Sequence, residues 1–303
     1  MSDSAGKSPA ESRVTSKRID ATESHWLALP ALVLIAAFIA LPCVGLLLLS
    51  LSTGFRPGDG WDALLSGPLG LDHYRRMLGD DFVLGRLGRT LAISAAVTLL
   101  TLAMGVPLAL ACWQTRGPIR NLLVYASVMP LLISIVVSAY GWSVLLGRKG
   151  LINETLLSMG LITQPLKLMH SDLGIVIGLT HILLPFMVLS VLAALERIPR
   201  ALLEAASTLG ASRWQTHRLI TLPLARAGLR SGVLLVFTLA MCAFVTPAVL
   251  GGNGTPVFPM VIYEQFSASF QWAYGAALSI LLLVVMMLIV AGFLSVSSPK
   301  RAA

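Results

Sequence analysis

Glu204, Ala205 and Ala206 are followed by three residues and Gly210, then by nine residues and the run Ile220, Thr221, Leu222, Pro223. A carboxylate, small alanines and a glycine do no bond-making chemistry at this spacing. They suit a contact surface, and a hydrophobic chain that keeps such a polar, Arg-bearing stretch in water presents it to something. Three motifs that would serve bond-making chemistry are absent from the sequence. It has no G-x-x-x-x-G-K-[ST] loop to cradle phosphates, no nucleophile elbow and no HExxH. His25, His73, His170, His181 and His217 are too scattered for a metal constellation, so no metal site is expected.

A second group of candidates lies inside the apolar runs. A solute crossing lipid needs a polar or wet route, which makes polar, aromatic and helix-breaking residues within spans the ones to inspect. These are Ser138, Tyr140 and Trp142, then Thr180 and His181, then Phe244 and Thr246 ahead of Asn253. Ordinary packing by small residues and interfacial placement of aromatics account for each of them equally. Pro247 is expected to kink its span by freeing a carbonyl. Glu264 is expected near an external mouth, where it would attract a cation or serve as solvated charge.

Membrane helices must position these residues. Of 303 residues, 56% are hydrophobic and 12% charged, with a mean hydropathy of +0.83, the composition of an integral membrane protein. A spanning helix needs roughly 20 apolar residues. Six segments qualify, at about 27–52, 90–113, 121–146, 173–195, 229–251 and 274–297. Runs such as Leu281 to Met287 lack the alternation of a β-barrel, so the expected fold class is all-α and polytopic.

The net charge of +8 does not form a nucleic-acid stripe. Fourteen of the 22 basic residues fall on one side of this topology, including six between Arg197 and Arg230, which places both termini in the cytoplasm. Residues 1–25 read as a disordered tail and 299–303 as a short cytoplasmic C-terminus. The apolar run from Leu27 is too long for a signal peptide. Cys43, Cys112 and Cys242, each in or at the end of a different span, read as buried structural thiols. Outside the bilayer, Tyr74, Met77, Leu78, Phe82 and Leu84 alternate with charges as in a segment resting at the interface, and a small helix is expected around Leu156 to Met159.

Within segment 200–223, a helix over 201–209 is expected to carry Glu204 near its start, favourably for the helix dipole. Gly210 ends that helix in a left-handed conformation, Ser212 caps the next, and Ile220, Leu222 and Pro223 end the second.

The spacing from Glu204 to Pro223 resembles the EAA signature of the membrane-spanning subunits of binding-protein-dependent ABC importers, and every signature position is matched. Similarity extends from about residue 72 to 295 and is closest to the spermidine/putrescine permease subfamily. It is carried by GRKGLINETL at 147–156, HILLPFMVLSVLAALERIPR at 181–200, AFVTPAVLGG at 243–252, IYEQF from 262 and WAYGAALS at 272–279. One position departs from the family pattern: Ser138 stands where many members have an arginine, two residues before Tyr-x-Trp.

The resemblance implies a type I importer permease in a bacterial cytoplasmic (inner) membrane, with six spans and a cytoplasmic coupling helix. Glu204, Ala205, Ala206 and Gly210 would be its docking determinants, with Ala211, Ile220, Leu222 and Pro223 completing the segment. It also implies a separate ATPase dimer holding ATP and Mg, a second permease subunit that is homologous or identical, and an external solute-binding protein. No cofactor is expected on this chain, and the implied cargo is a polyamine or a related small organic solute. A secondary transporter working without ATP is the alternative, and it would show internal repeats or ionisable residues at mid-membrane depth. The sequence has no clear repeat and very few such residues.

Overall fold

The computed structural model describes residues 21–297 other than 61, 63, 65, 66, 253 and 255. The tail over 1–20, the C-terminus over 299–303 and candidate Asn253 lie outside the described residues. Two units divide the chain, Met1–Leu46 and Leu47–Ala303. Described residues of the first belong to helix α1 (Ala21–Leu51). Residues 21–25 are thus helical rather than part of a disordered tail. No glycine or proline separates them from the apolar run, so the helix propagates back at one hydrogen bond per residue.

The second unit contains α2 (Asp72–Leu78), α3 (Asp81–Gln114), α4 (Pro118–Val128) with a 3-10 turn over Met129–Leu132, α5 (Ile135–Leu146) and α6 (Leu151–Ser158). It continues with α7 (Asp172–Leu195), α8 (Arg200–Thr208), α9 (Arg213–Leu224), α10 (Arg226–Met241), α11 (Val245–Gly251), α12 (Phe258–Ser267) and α13 (Trp272–Ser297). No strand occurs among the described residues, only an isolated bridge between Ser52 and Leu69.

Among the described residues, four helical stretches are long and apolar enough to cross a membrane, and counting each of two bent pairs once gives up to six. The expected continuous span over 121–146 is broken, because the segment ending at Leu132 meets the one starting at Ile135 at 101°. Pro130 has no N–H for the Ala126 carbonyl, so the chain tightens into a 3-10 turn and then extends over Ile133 and Ser134. The run over 229–251 is likewise two helices, α10 and α11. Pro247 does not kink a continuous helix. It lies in the first turn of α11, where a missing N–H leaves no acceptor unsatisfied, and the break falls before it at Cys242–Phe244.

Helix α7 forms the middle of the core, packed against α3 and α10. Ile175, Leu179, Met187, Val191 and Leu195 meet Val97 and Ala109 of α3 and Val236 of α10. A second cluster joins Met77 and Val83 to Phe258, Val261, Tyr274 and Leu278. Met77 is therefore buried rather than resting at an interface, while Leu78 and Phe82 remain exposed. Of the cysteines, Cys112 is buried, but Cys43 and Cys242 are exposed. Arg89 pairs with Asp172 and Arg120 with Glu196, each at 2.6 Å, tying the two ends of α7 to α3 and α4. Both pairs are partly solvated and contribute under about 1 kcal/mol each.

Helix α6 starts at Leu151, earlier than the helix expected around Leu156 to Met159, because Asn153 anchors it. Its fully buried side chain donates to the carbonyls of Gly147 (3.0 Å) and Leu166 (3.1 Å), and accepts from the Leu166 N–H at 2.8 Å. Asn153→Leu would leave the Leu166 N–H unpaired and remove one hydrogen bond each from the Gly147 and Leu166 carbonyls, which keep those from the Gly150 and Leu168 N–H groups. A loss of about 2–3 kcal/mol is expected, read as a lowered thermal midpoint in detergent; an unchanged midpoint would contradict the anchoring role.

Candidate coupling segment and membrane path

Helix α8 closes in a Schellman arrangement. The Ala211 N–H donates to the Ala206 carbonyl and the Gly210 N–H to the Ser207 carbonyl, both at 3.0 Å, while Gly210 takes φ +78°. That geometry fixes the spacing between the alanine pair and the glycine, since the third residue from the C-cap and the residue after the glycine must meet. Ala206 is 6% exposed and Ala211 half-buried, whereas Glu204, Ala205 and Gly210 face solvent. Glu204 lies beyond the first turn, because α8 begins at Arg200. The helix dipole therefore gains little from its charge.

Ser212 caps α9 in a reciprocal box. Its hydroxyl accepts from the Gln215 N–H at 3.3 Å, and the Gln215 side chain accepts from the Ser212 N–H at 2.8 Å. Ser212→Ala is expected to cost the helix about 1 kcal/mol, visible as faster hydrogen exchange at Gln215 and Thr216. Unchanged exchange there would deny the cap.

Helix α9 does not stop at Pro223. A π-helical turn over His217–Thr221, in which the Leu222 N–H bonds the His217 carbonyl, shifts the hydrogen-bond ladder just before the proline. The helix then runs to Leu224 and meets α10 at 65°. Ile220, Leu222 and Pro223 are half-buried and Thr221 is buried, so this part anchors the segment. On the outer side of the turn, Leu209 is 87% exposed and Trp214 71%.

Sequence reasoning missed the brace beneath the turn. Gln114 at the end of α3 hydrogen-bonds His217 at 3.0 Å, and Arg116, Arg200 and Arg213 border the cleft between them. Polar residues ending a long apolar run were the available signal, but their partners lie about a hundred positions away.

The path candidates separate into two groups. Trp142 of α5 meets His181 of α7 edge-on, with ring centroids 5.5 Å apart, and Thr180 and Thr246 are buried close by where α5, α7 and α11 pack together. Thr180 Oγ1 and His181 Nδ1 are buried without a hydrogen-bond partner, so the cluster retains unused polar capacity. Phe244 instead stacks, tilted, on Tyr263 of α12 at 4.8 Å. Ser138 is half-buried, and Tyr140 and Glu264 are exposed.

The apolar helices and bent helix pairs are those of a membrane protein, and the turn between α8 and α9 stands exposed at one end of the bundle. The chain belongs to the family of binding-protein-dependent transport system inner membrane components, whose model matches residues 101–302. It is 32% identical over 253 residues to the spermidine/putrescine transport system permease protein PotB of Haemophilus influenzae, covering 84% of this chain and 86% of that protein. It is 37% identical over 216 residues to PotB of Escherichia coli, covering 71% and 78%. Its fold is similar to that of a bacterial ABC transporter that imports the acidic polysaccharide alginate, with TM-score 0.75, 21% identity, and 91% of this chain and 95% of that chain covered. The chain is a permease of a binding-protein-dependent ABC importer located in the inner membrane, and it carries the EAA segment of that family.

Proposed function

We propose that this permease carries a polyamine or a related small organic solute, delivered by an external binding protein, and that a separate ATPase dimer holding ATP and Mg drives it through the Glu204–Pro223 segment. The supporting observation is the exposed turn between α8 and α9. Glu204, Ala205, Leu209, Gly210 and Trp214 face solvent on a scaffold pinned by Ala206 and Thr221. Apolar residues held out in water beside a carboxylate form a docking surface. A second permease subunit, homologous or identical, would complete the path, with both termini cytoplasmic. The polyamine reading follows the two relatives, and the cluster of Trp142, Thr180, His181 and Thr246 offers the polar capacity a solute would use.

ATP biases an inward-open against an outward-open arrangement only if the ATPase-bound segment interacts differently in each. The deciding experiment reconstitutes the chain in liposomes with its partner subunits and measures uptake of labelled spermidine and putrescine. ATP-dependent uptake that also requires the binding protein is expected. Uptake by this chain alone without ATP would overturn the coupling, and ATP-driven uptake that excludes both polyamines would overturn the cargo.

A further inference from the structure

Two clefts meet beside Trp113 in the last turn of α3, on the end of the bundle that carries α8 and α9. The first, of about 450 Å³, is bordered by Arg116, Arg200, Arg213, Glu204 and His217. The second, of about 440 Å³, shares Trp113, Arg116 and Arg200 and reaches the Arg120–Glu196 ion pair. Both volumes fall within the few hundred to about 1,000 Å³ usual for small-ligand sites.

Charge in these clefts is unbalanced. Glu196 neutralises Arg120 at 2.6 Å, but Arg116, Arg200 and Arg213 make no ion pair or side-chain hydrogen bond among the described residues. Glu204 is the single carboxylate facing those three guanidinium groups in the first cleft. A concave wall of one sign focuses the field and concentrates anions, and the forked donors of arginine match the oxygens of a phosphate.

Position selects the kind of anion. The expected span over about 90–113 ends at Trp113, whose half-buried indole suits the level where aromatic side chains mark the membrane–water boundary. A phosphate reaches this depth without leaving the interface when it belongs to a lipid, and basic pockets between span ends hold such head groups. We infer that the double cleft around Arg116, Arg200 and Arg213 binds the phosphate head group of an anionic phospholipid. Nothing in solute transport itself requires this site. Because Glu204 forms part of the wall, occupancy changes the charge beside the docking turn and links membrane composition to coupling.

Native mass spectrometry of the full chain, released from micelles containing equal phosphatidylglycerol and phosphatidylcholine, tests the site. The wild type is expected to retain phosphatidylglycerol at least about tenfold over phosphatidylcholine. The triple variant Arg116→Gln, Arg200→Gln, Arg213→Gln should lose that preference, and the corresponding lysine triple should keep part of it. A control losing the same charge on the opposite end, Arg148→Gln with Lys149→Gln and Lys167→Gln, should keep the full preference. Both glutamine variants must retain wild-type helical circular dichroism, and the lysine triple carries the test if the first does not. Equal retention of the two lipids by the wild type, equal loss in the control, or displacement of the lipid by millimolar inorganic phosphate alone would each overturn the proposal. So would a preference that disappears when the ATPase is bound, since the cleft would then belong to the protein partner.

Discussion

Gly210→Pro is expected to abolish solute-stimulated ATP hydrolysis by the assembled importer while leaving the chain inserted in the membrane. Gly210 holds φ +78° and donates its N–H to the Ser207 carbonyl. Proline fixes φ near −65° and has no N–H, so the substitution forbids the backbone conformation and removes a closing hydrogen bond together. The Ala211 bond to Ala206 depends on the same reversal, and α9 would leave its bearing relative to α8. Glu204→Lys reaches the same outcome with the backbone intact, because it reverses an exposed charge on the proposed docking surface. A fall of at least about tenfold, equivalent to roughly 1.4 kcal/mol of coupling, is expected in each. Hydrolysis rates in proteoliposomes measure it, and normal stimulated hydrolysis in both variants would remove the segment from the coupling route.

Gly228→Val should be the most damaging change within the bundle. A Cβ at Gly228 would lie 2.4 Å from the Ala194 Cβ and 2.6 Å from the Ser190 carbonyl oxygen. The second is backbone of α7 and cannot rotate away, so α7 and α10 would have to separate along the interface that builds the core. Close approach at small residues replaces a hydrophobic driving force between membrane helices, and forcing them apart costs about 3 kcal/mol here. Thermal unfolding followed by size-exclusion profile reports the loss. Gly292→Ala in α13 is the matched control, since its added methyl meets nothing within 4 Å, and its profile should stay at the wild-type midpoint. A Gly228→Val chain as stable as that control would mean the two helices pack less closely than described.

The turn between α8 and α9 was legible because it is made from neighbours in sequence. Gly210 as a left-handed terminator and Ser212 as a cap act through residues no more than five positions away, and both are found as expected. Apolar length likewise revealed helices that must satisfy their own backbone groups in lipid. Hydropathy does not register where a proline falls within a turn. For that reason the breaks at Ile133–Ser134 and Cys242–Phe244 were missed, while the short helix at Asn153 was placed too late because its anchoring partner Leu166 lies 13 positions away.

The sequence by itself determined that this is an all-helical membrane protein bearing an importer's EAA segment, because composition and local spacing are properties of adjacent residues. Only the tertiary structure decided which polar groups share a place. His217 meets Gln114 across 103 positions, and His181 finds Trp142 on a different helix. Arg116, Arg200 and Arg213 gather around one cleft. Contacts of that kind depend on how helices pack after their apolar faces are buried, and no single stretch of sequence encodes that arrangement.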